Sequence, residues 1–131
     1  MGSRILIVED EQIIAEDLAM LIGLLGHEVL GISISGEEAV TMAVETNPEL
    51  VLMDIQLEGR MTGTEAAQAI RERTGAAIVF ITAFPGVFLR ESSHLKEPGI
   101  CVNKPFSRMQ LESALRAAAA TRQRSTESSQ G

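Results

Sequence analysis

The amino-acid sequence predicts a single α/β domain: a parallel sheet of five strands, wound on both faces by five helices. Three observations carry that prediction. Residues 4–8, 50–53, 76–81 and 99–102 are largely apolar runs of strand length, the pattern of strands covered on both faces. The segments between them change to apolar residues at helical spacing, so strands alternate with helices, which implies parallel pairing and right-handed crossovers. The length of 131 residues suits one domain with a core of its own, needing no disulfide or metal to hold it. We find no internal repeat and no linker to a second domain.

The elements follow in order. Met1-Gly2-Ser3 reads as a translation start or cloning remnant, and the first strand at 4–8 runs straight into Glu9-Asp10-Glu11. From Glu11 the period becomes helical: Ile14, Leu18, Leu21, Ile22 and Leu25 share a face, and Gly26 ends the helix. Ile13, Met20 and Leu24 form a second apolar stripe about 120° away, which we expect to pack on a neighbouring helix rather than to dock a partner. Residues 28–33 make a short strand of mixed pattern. Ser35-Gly36 then turns the chain into a helix bearing Ala39, Val40, Ala43 and Val44, which Asn47-Pro48 stops.

The third strand, 50–54, is four apolar residues closed by Asp54. In open α/β sheets ligands bind at the carboxyl edge, so this address makes Asp54 a functional candidate, although a strand-ending Asp can equally cap a turn. Thr62-Gly63-Thr64-Glu65 has the form of a capping box and opens a helix to about Arg73. The fourth strand ends at Thr82, and a polar helix of modest propensity is expected over 87–96. The last strand delivers Asn103-Lys104-Pro105 to its carboxyl end. A final helix carries Met109, Leu111, Ala114, Leu115 and Ala118, and 122–131 is polar without apolar period, expected as a disordered tail beyond a domain at 4–121.

Composition narrows the function classes. A hydrophobic fraction of 45% and a charged fraction of 22% are ordinary for a globular protein, and 3% aromatics makes the core aliphatic. A net charge of −7 argues against direct nucleic-acid binding or an anionic membrane surface, which need a basic face. The single cysteine, Cys101, has neither a disulfide partner nor the companions of a zinc site, and reads as a small core residue in a reducing compartment. No stretch has the length of a membrane span or the form of a signal peptide, so a cytoplasmic protein is expected. His27 and His94, with no second ligand near in sequence, read as surface residues.

Four strands deliver polar residues to one edge: Glu9 and Asp10, Asp54, Thr82 and Lys104. Clustered carboxylates repel unless their pKa values rise or a cation binds. Mg²⁺ suits such a site because it takes one or two carboxylates and leaves room for a phosphoryl oxygen. Lys104 supplies a mobile positive charge that can pair with a carboxylate or with phosphate. The chemistry that uses every part is phosphoryl transfer onto Asp54, with Thr82 and Lys104 holding phosphoryl oxygens. Asp10, flanked by Glu9 and Glu11, suits metal holding better than attack.

The pattern LIVEDE, LVLMDIQL, FITAF and VNKPF resembles, in order and spacing from residue 4 to about 121, the receiver domain of two-component response regulators. The resemblance implies the flavodoxin-like strand order 2-1-3-4-5. It also implies that Asp54 accepts phosphate from a sensor histidine kinase or a histidine phosphotransfer protein. Asp10, Asp54 and the Gln56 carbonyl would bind Mg²⁺ with Glu9 assisting, Thr82 and Lys104 would contact the phosphoryl group, and the Lys104-Pro105 bond would be cis. Output would pass through the fourth helix, fifth strand and fifth helix to a downstream protein or a fused output domain. Three positions depart from the common pattern: Cys101 where many receivers have a switch aromatic, Glu58 where proline is frequent, and a loop to Gly63 one residue longer than usual. Two other classes are an Mg²⁺-dependent phosphatase working through an aspartyl-phosphate and a constitutive binding module. The first is opposed by Gln56, where such enzymes carry a second Asp; the second is opposed by the complete set of acids, threonine and lysine.

Overall fold

The computed structural model describes residues 2–57, 59–93 and 99–130, with side chains through Arg122. Its elements are β1 (Arg4–Val8), α1 (Gln12–Leu24), β2 (Glu28–Ser33), α2 (Gly36–Thr46), β3 (Leu50–Asp54), α3 (Gly63–Arg73), β4 (Ala77–Thr82), α4 (Pro85–Ser92), β5 (Ile100–Asn103) and α5 (Arg108–Gln130). All strand pairs are parallel, in the order β2-β1-β3-β4-β5.

Side-chain alternation along the strands builds two cores. Leu6, Val8, Val51, Met53, Ile78 and Phe80 point to one face, where Ala39, Val40 and Ala43 of α2, Ala66, Ala67 and Ile70 of α3, and Phe88 of α4 cover them. Ile5, Ile7, Leu50, Leu52, Val79, Ile81 and Val102 point to the other, under Leu18 and Ile22 of α1 and Leu111, Ala114, Leu115 and Ala118 of α5. The small residues of α2 and α3 let those helices lie close to the sheet, where Phe80 meets Phe88 with ring centroids 5.1 Å apart. Register aligns the carboxyl ends: Val8 stands beside Met53, Asp54 beside Ile81, and Thr82 beside Asn103.

Helix ends follow local chemistry. α1 closes in a Schellman arrangement, with His27 N–H donating to Ile22 O, Gly26 N–H donating to Gly23 O, and Gly26 at φ 92°. Ser35 caps α2 through Glu38 N–H. The capping box of α3 is complete: Thr62 Oγ1 accepts from Glu65 N–H at 3.1 Å, and Glu65 Oε1 accepts from Thr62 N–H at 2.9 Å.

Several expectations need correction. Among the described residues the second stripe of α1 packs on no helix: Ile13, Met20 and Leu24 are 77%, 68% and 67% exposed. On that face α5 lies against β3, β4 and β5 and α1 against β1 and β2, and among the described residues no helix flanks the outer side of α1. The fourth helix starts at Pro85, two residues before 87, because proline's fixed φ and missing N–H suit the first helical position; its expected end, with His94 and Lys96, lies outside the described residues, as does Glu58. Val44 and Met109 face outward. α5 continues past Thr121 to Gln130, with no glycine or proline to stop it and Thr121 Oγ1 bonded back to Ala117 O. Ser3 is joined to the sheet edge: its N–H donates to His27 Nδ1 and its carbonyl accepts from Glu28 N–H. His27 is therefore half-buried and bonded, and burial lowers its pKa.

Candidate functional site

The carboxyl edge of the sheet opens into a polar cavity of about 280 Å³ lined by Asp10, Glu11, Asp54, Gln56, Leu57, Thr82, Ala83, Phe84 and Lys104. The site residues come from the ends of four strands. Glu9 follows β1 and is 1% exposed, with its N–H on Ser33 O of β2. Asp54 ends β3 at 9% exposure, and Thr82 ends β4 at 1%. Lys104 follows β5, its N–H donating to Thr82 O at 2.7 Å, and the Lys104-Pro105 bond is cis.

The two oxygens of Asp54 have separate roles. Oδ1 accepts from Gln56 N–H at 3.1 Å, which fixes the carboxylate plane; Oδ2 lies 3.5 Å from Lys104 Nζ. Lys104 Nζ also donates to Glu9 Oε1 at 3.1 Å, so one ammonium spans two acids. Thr82 Oγ1 accepts from Phe84 N–H at 2.8 Å, leaving the hydroxyl proton free to donate elsewhere. Carboxylate oxygens of Glu9, Asp10 and Asp54 all lie within 4.8 Å of one another.

Electrostatics follow from this crowding. Burial is the largest influence on Glu9 and raises its pKa; Asp54 raises it further, and Lys104 offsets only part. Burial works against the Lys104 ammonium too, but its hydrogen bond to Glu9 and the charges of Asp54 and Glu9 outweigh that and raise its pKa. The same ion pair thus wins for the lysine and loses for the glutamate, because Glu9 is the more deeply enclosed of the two. An all-oxygen donor set with like charges in excess fits a hard divalent cation such as Mg²⁺, for which Glu9, Asp10 and Asp54 are the candidate acids.

Every site residue named from the sequence except the Gln56 carbonyl is placed here by its side chain; Gln56 enters through its backbone N–H and as part of the wall. Leu57 and Ala83 were not foreseen. Their signal was available, since each lies beside a strand end that already carried a candidate. Cys101 sits opposite Phe80 on β5, half-buried against the core, and its burial raises the thiol pKa.

A doubly wound sheet with an acidic pocket, a threonine and a lysine at its carboxyl edge defines a class of signalling domain. The model of the response regulator receiver domain matches residues 5–116, and the chain belongs to that family. It is similar to the phyllosphere-induced regulator PhyR of Methylorubrum extorquens, 40% identical over 107 residues, covering 81% of this chain and 39% of that protein. It is also similar to the transcriptional regulatory protein PdtaR of Mycobacterium tuberculosis, 38% identical over 104 residues, or 79% of this chain and 50% of the relative. The crystal structure of the response regulator PhyR from Brucella abortus superposes with a TM-score of 0.85 at 32% identity, over 98% of this chain and 52% of that one. The chain therefore spans half or less of the length of these curated relatives.

Proposed function

We propose that Asp54 takes a phosphoryl group from a phosphohistidine of a sensor histidine kinase or histidine phosphotransfer protein, and that its phosphorylation switches a protein-binding surface. The observation that carries this reading is the posture of Asp54: one oxygen is tied to Gln56 N–H while the other faces Lys104 across an open pocket. A carboxylate oxygen of Asp54 forms the new O–P bond as the P–N bond breaks, and the bonding pair stays on the imidazole nitrogen. Asp10 and Asp54 with the Gln56 carbonyl, assisted by Glu9, would hold Mg²⁺, which when bound supplies neutralisation of the charge on the transferring group.

Lys104 already stands on both acids and turns its ammonium to the phosphoryl oxygens once Asp54 is esterified. Thr82 donates its hydroxyl proton to the same group. Gln56 and Phe84, which both line the pocket, shield it from water and so set its lifetime. The altered contacts of Thr82 and Lys104 bias a pre-existing equilibrium read through α4, β5 and α5 by a downstream protein or a fused output domain. The net charge of −7 opposes direct nucleic-acid contact by this chain, and a kinase donor places the reaction in the cytoplasm.

Intact mass after incubation with acetyl phosphate tests the reading. The expected result is a gain of one phosphoryl group that requires Mg²⁺ and is lost in Asp54→Ala. A gain of equal size in folded Asp54→Ala would overturn it.

A further inference from the structure

The segment between Asp54 and α3 carries the pocket wall at Gln56 and Leu57, yet its described residues are neither strand nor helix. What holds it is found on α2. The carboxylate of Glu37, in the first turn of that helix, accepts two consecutive backbone hydrogen bonds through Oε1, from Arg60 N–H at 3.0 Å and Met61 N–H at 2.8 Å. The chain approaches so closely because Gly59, at φ 104°, has no side chain: a Cβ there would come within 2.9 Å of Glu37 Oε2. Beside it Gly36 admits Met61, since a Cβ on Gly36 would meet Met61 Cβ at 3.1 Å. The hydrogen bonds from its own backbone N–H and from those of Met61 and Arg60 lower the pKa of Glu37, so the clasp is charge-assisted at neutral pH.

We propose that Glu37 is a positioning residue for phosphoryl transfer, holding the β3–α3 segment so that Gln56 and Leu57 keep their place in the pocket. The inference rests on the phosphoacceptor reading above. The segment is fastened at both ends: Gln56 N–H is on Asp54 Oδ1 and Gly63 N–H is on Ile55 O at one end, and Glu37 grips Arg60 and Met61 at the other. Removing the Glu37 carboxylate takes away the hydrogen bonds that tie Arg60 and Met61 to α2, leaving the packing of Leu57 and Met61 on the core to hold them. The Gln56 carbonyl is then less well aligned toward the acids.

The test compares Glu37→Ala, Glu37→Gln and, as control, the neighbouring Glu38→Ala, all in the whole chain. Hydrogen exchange at the Arg60 and Met61 amides, Mg²⁺ affinity by calorimetry and the rate of phosphoryl loss are measured together. Glu37→Ala is expected to speed exchange at both amides and weaken Mg²⁺ binding about tenfold, the lower end of what lost outer-shell support costs. Glu37→Gln, which keeps an acceptor oxygen, should restore most of the affinity, and Glu38→Ala should match wild type. A lower melting temperature for Glu37→Ala with wild-type Mg²⁺ affinity would mean a purely structural clasp and overturn the proposal. Wild-type protein that bound no Mg²⁺ would bring down the parent reading, and this one with it; wild-type Mg²⁺ binding unaffected by Glu37→Ala would bring down this one alone.

Discussion

Lys104 and Glu9 show how one contact acts in opposite senses on its two ends. For Lys104 the folded pKa is above the ordinary value, so its contribution to stability is fully present below that value and is lost only as pH rises through the raised one. Glu9 is the reverse of the usual carboxylate: its folded pKa lies above 4.5, so the native state holds its proton more tightly than the unfolded chain. Stability then falls as pH rises from about the ordinary carboxylate value through the raised one. Glu9→Gln should therefore raise the melting temperature of the Mg²⁺-free protein, and its advantage over wild type should widen as pH rises from the acid side toward neutrality. Thermal melts across that range check this. An advantage that shrank with rising pH would show that the Lys104 pair outweighs burial at Glu9.

At the scale of elements, the junction of β3 and α3 is the tightest place near the site. A Cβ on Gly63 would lie 2.4 Å from Asp54 O and 2.9 Å from Ile55 Cα, both backbone atoms that cannot yield as a side chain would. Gly63→Ala must therefore shift the end of β3, and we expect a loss of about 1–3 kcal/mol, the usual penalty of overpacking, with slower phosphorylation of Asp54. Gly75→Ala is the control, because a Cβ there meets nothing within 4 Å. Urea midpoints decide it: equal midpoints for the two variants would show that the junction has slack.

Four of the strands were legible because each is an apolar run closed by a polar residue, and the capping box of α3 because both of its members are side chains three residues apart. The bare stripe on α1 was not, since periodicity at Ile13, Met20 and Leu24 says that a face is apolar and nothing about what covers it. The Glu37 clasp was hidden for a different reason. Its partners are backbone amides more than twenty residues away, and amides carry no signature in a sequence. The start of α4 at Pro85 could have been read, as proline is favoured at that position.

For the whole molecule, parallel register turns four separate loops into one site. Because the strands that end at Val8, Asp54, Thr82 and Asn103 run parallel and their ends step by no more than one residue from each to the next, residues up to 95 apart in sequence, such as Glu9 and Lys104, meet without any long-range motif. That is why the site could be assembled from the sequence once the alternation of elements was recognised: strand ends in a parallel sheet share an edge. What the alternation could not supply was the division of work inside the site, which depends on Gln56 N–H occupying one oxygen of Asp54 and Lys104 facing the other. Family membership and the shared fold concern this domain, and the relatives' additional length makes output a question for the longer proteins.

Borohydride reduction of the acetyl phosphate-treated protein, followed by peptide mapping, tests the central claim most directly, because hydride converts an acyl phosphate to an alcohol and marks the residue that carried it. The account predicts homoserine at position 54, formed only when Mg²⁺ was present during phosphorylation, with Asp10 and Glu9 unchanged. Homoserine at position 10 in place of 54 would contradict the account, because it would exchange the acceptor and the metal-holding acid.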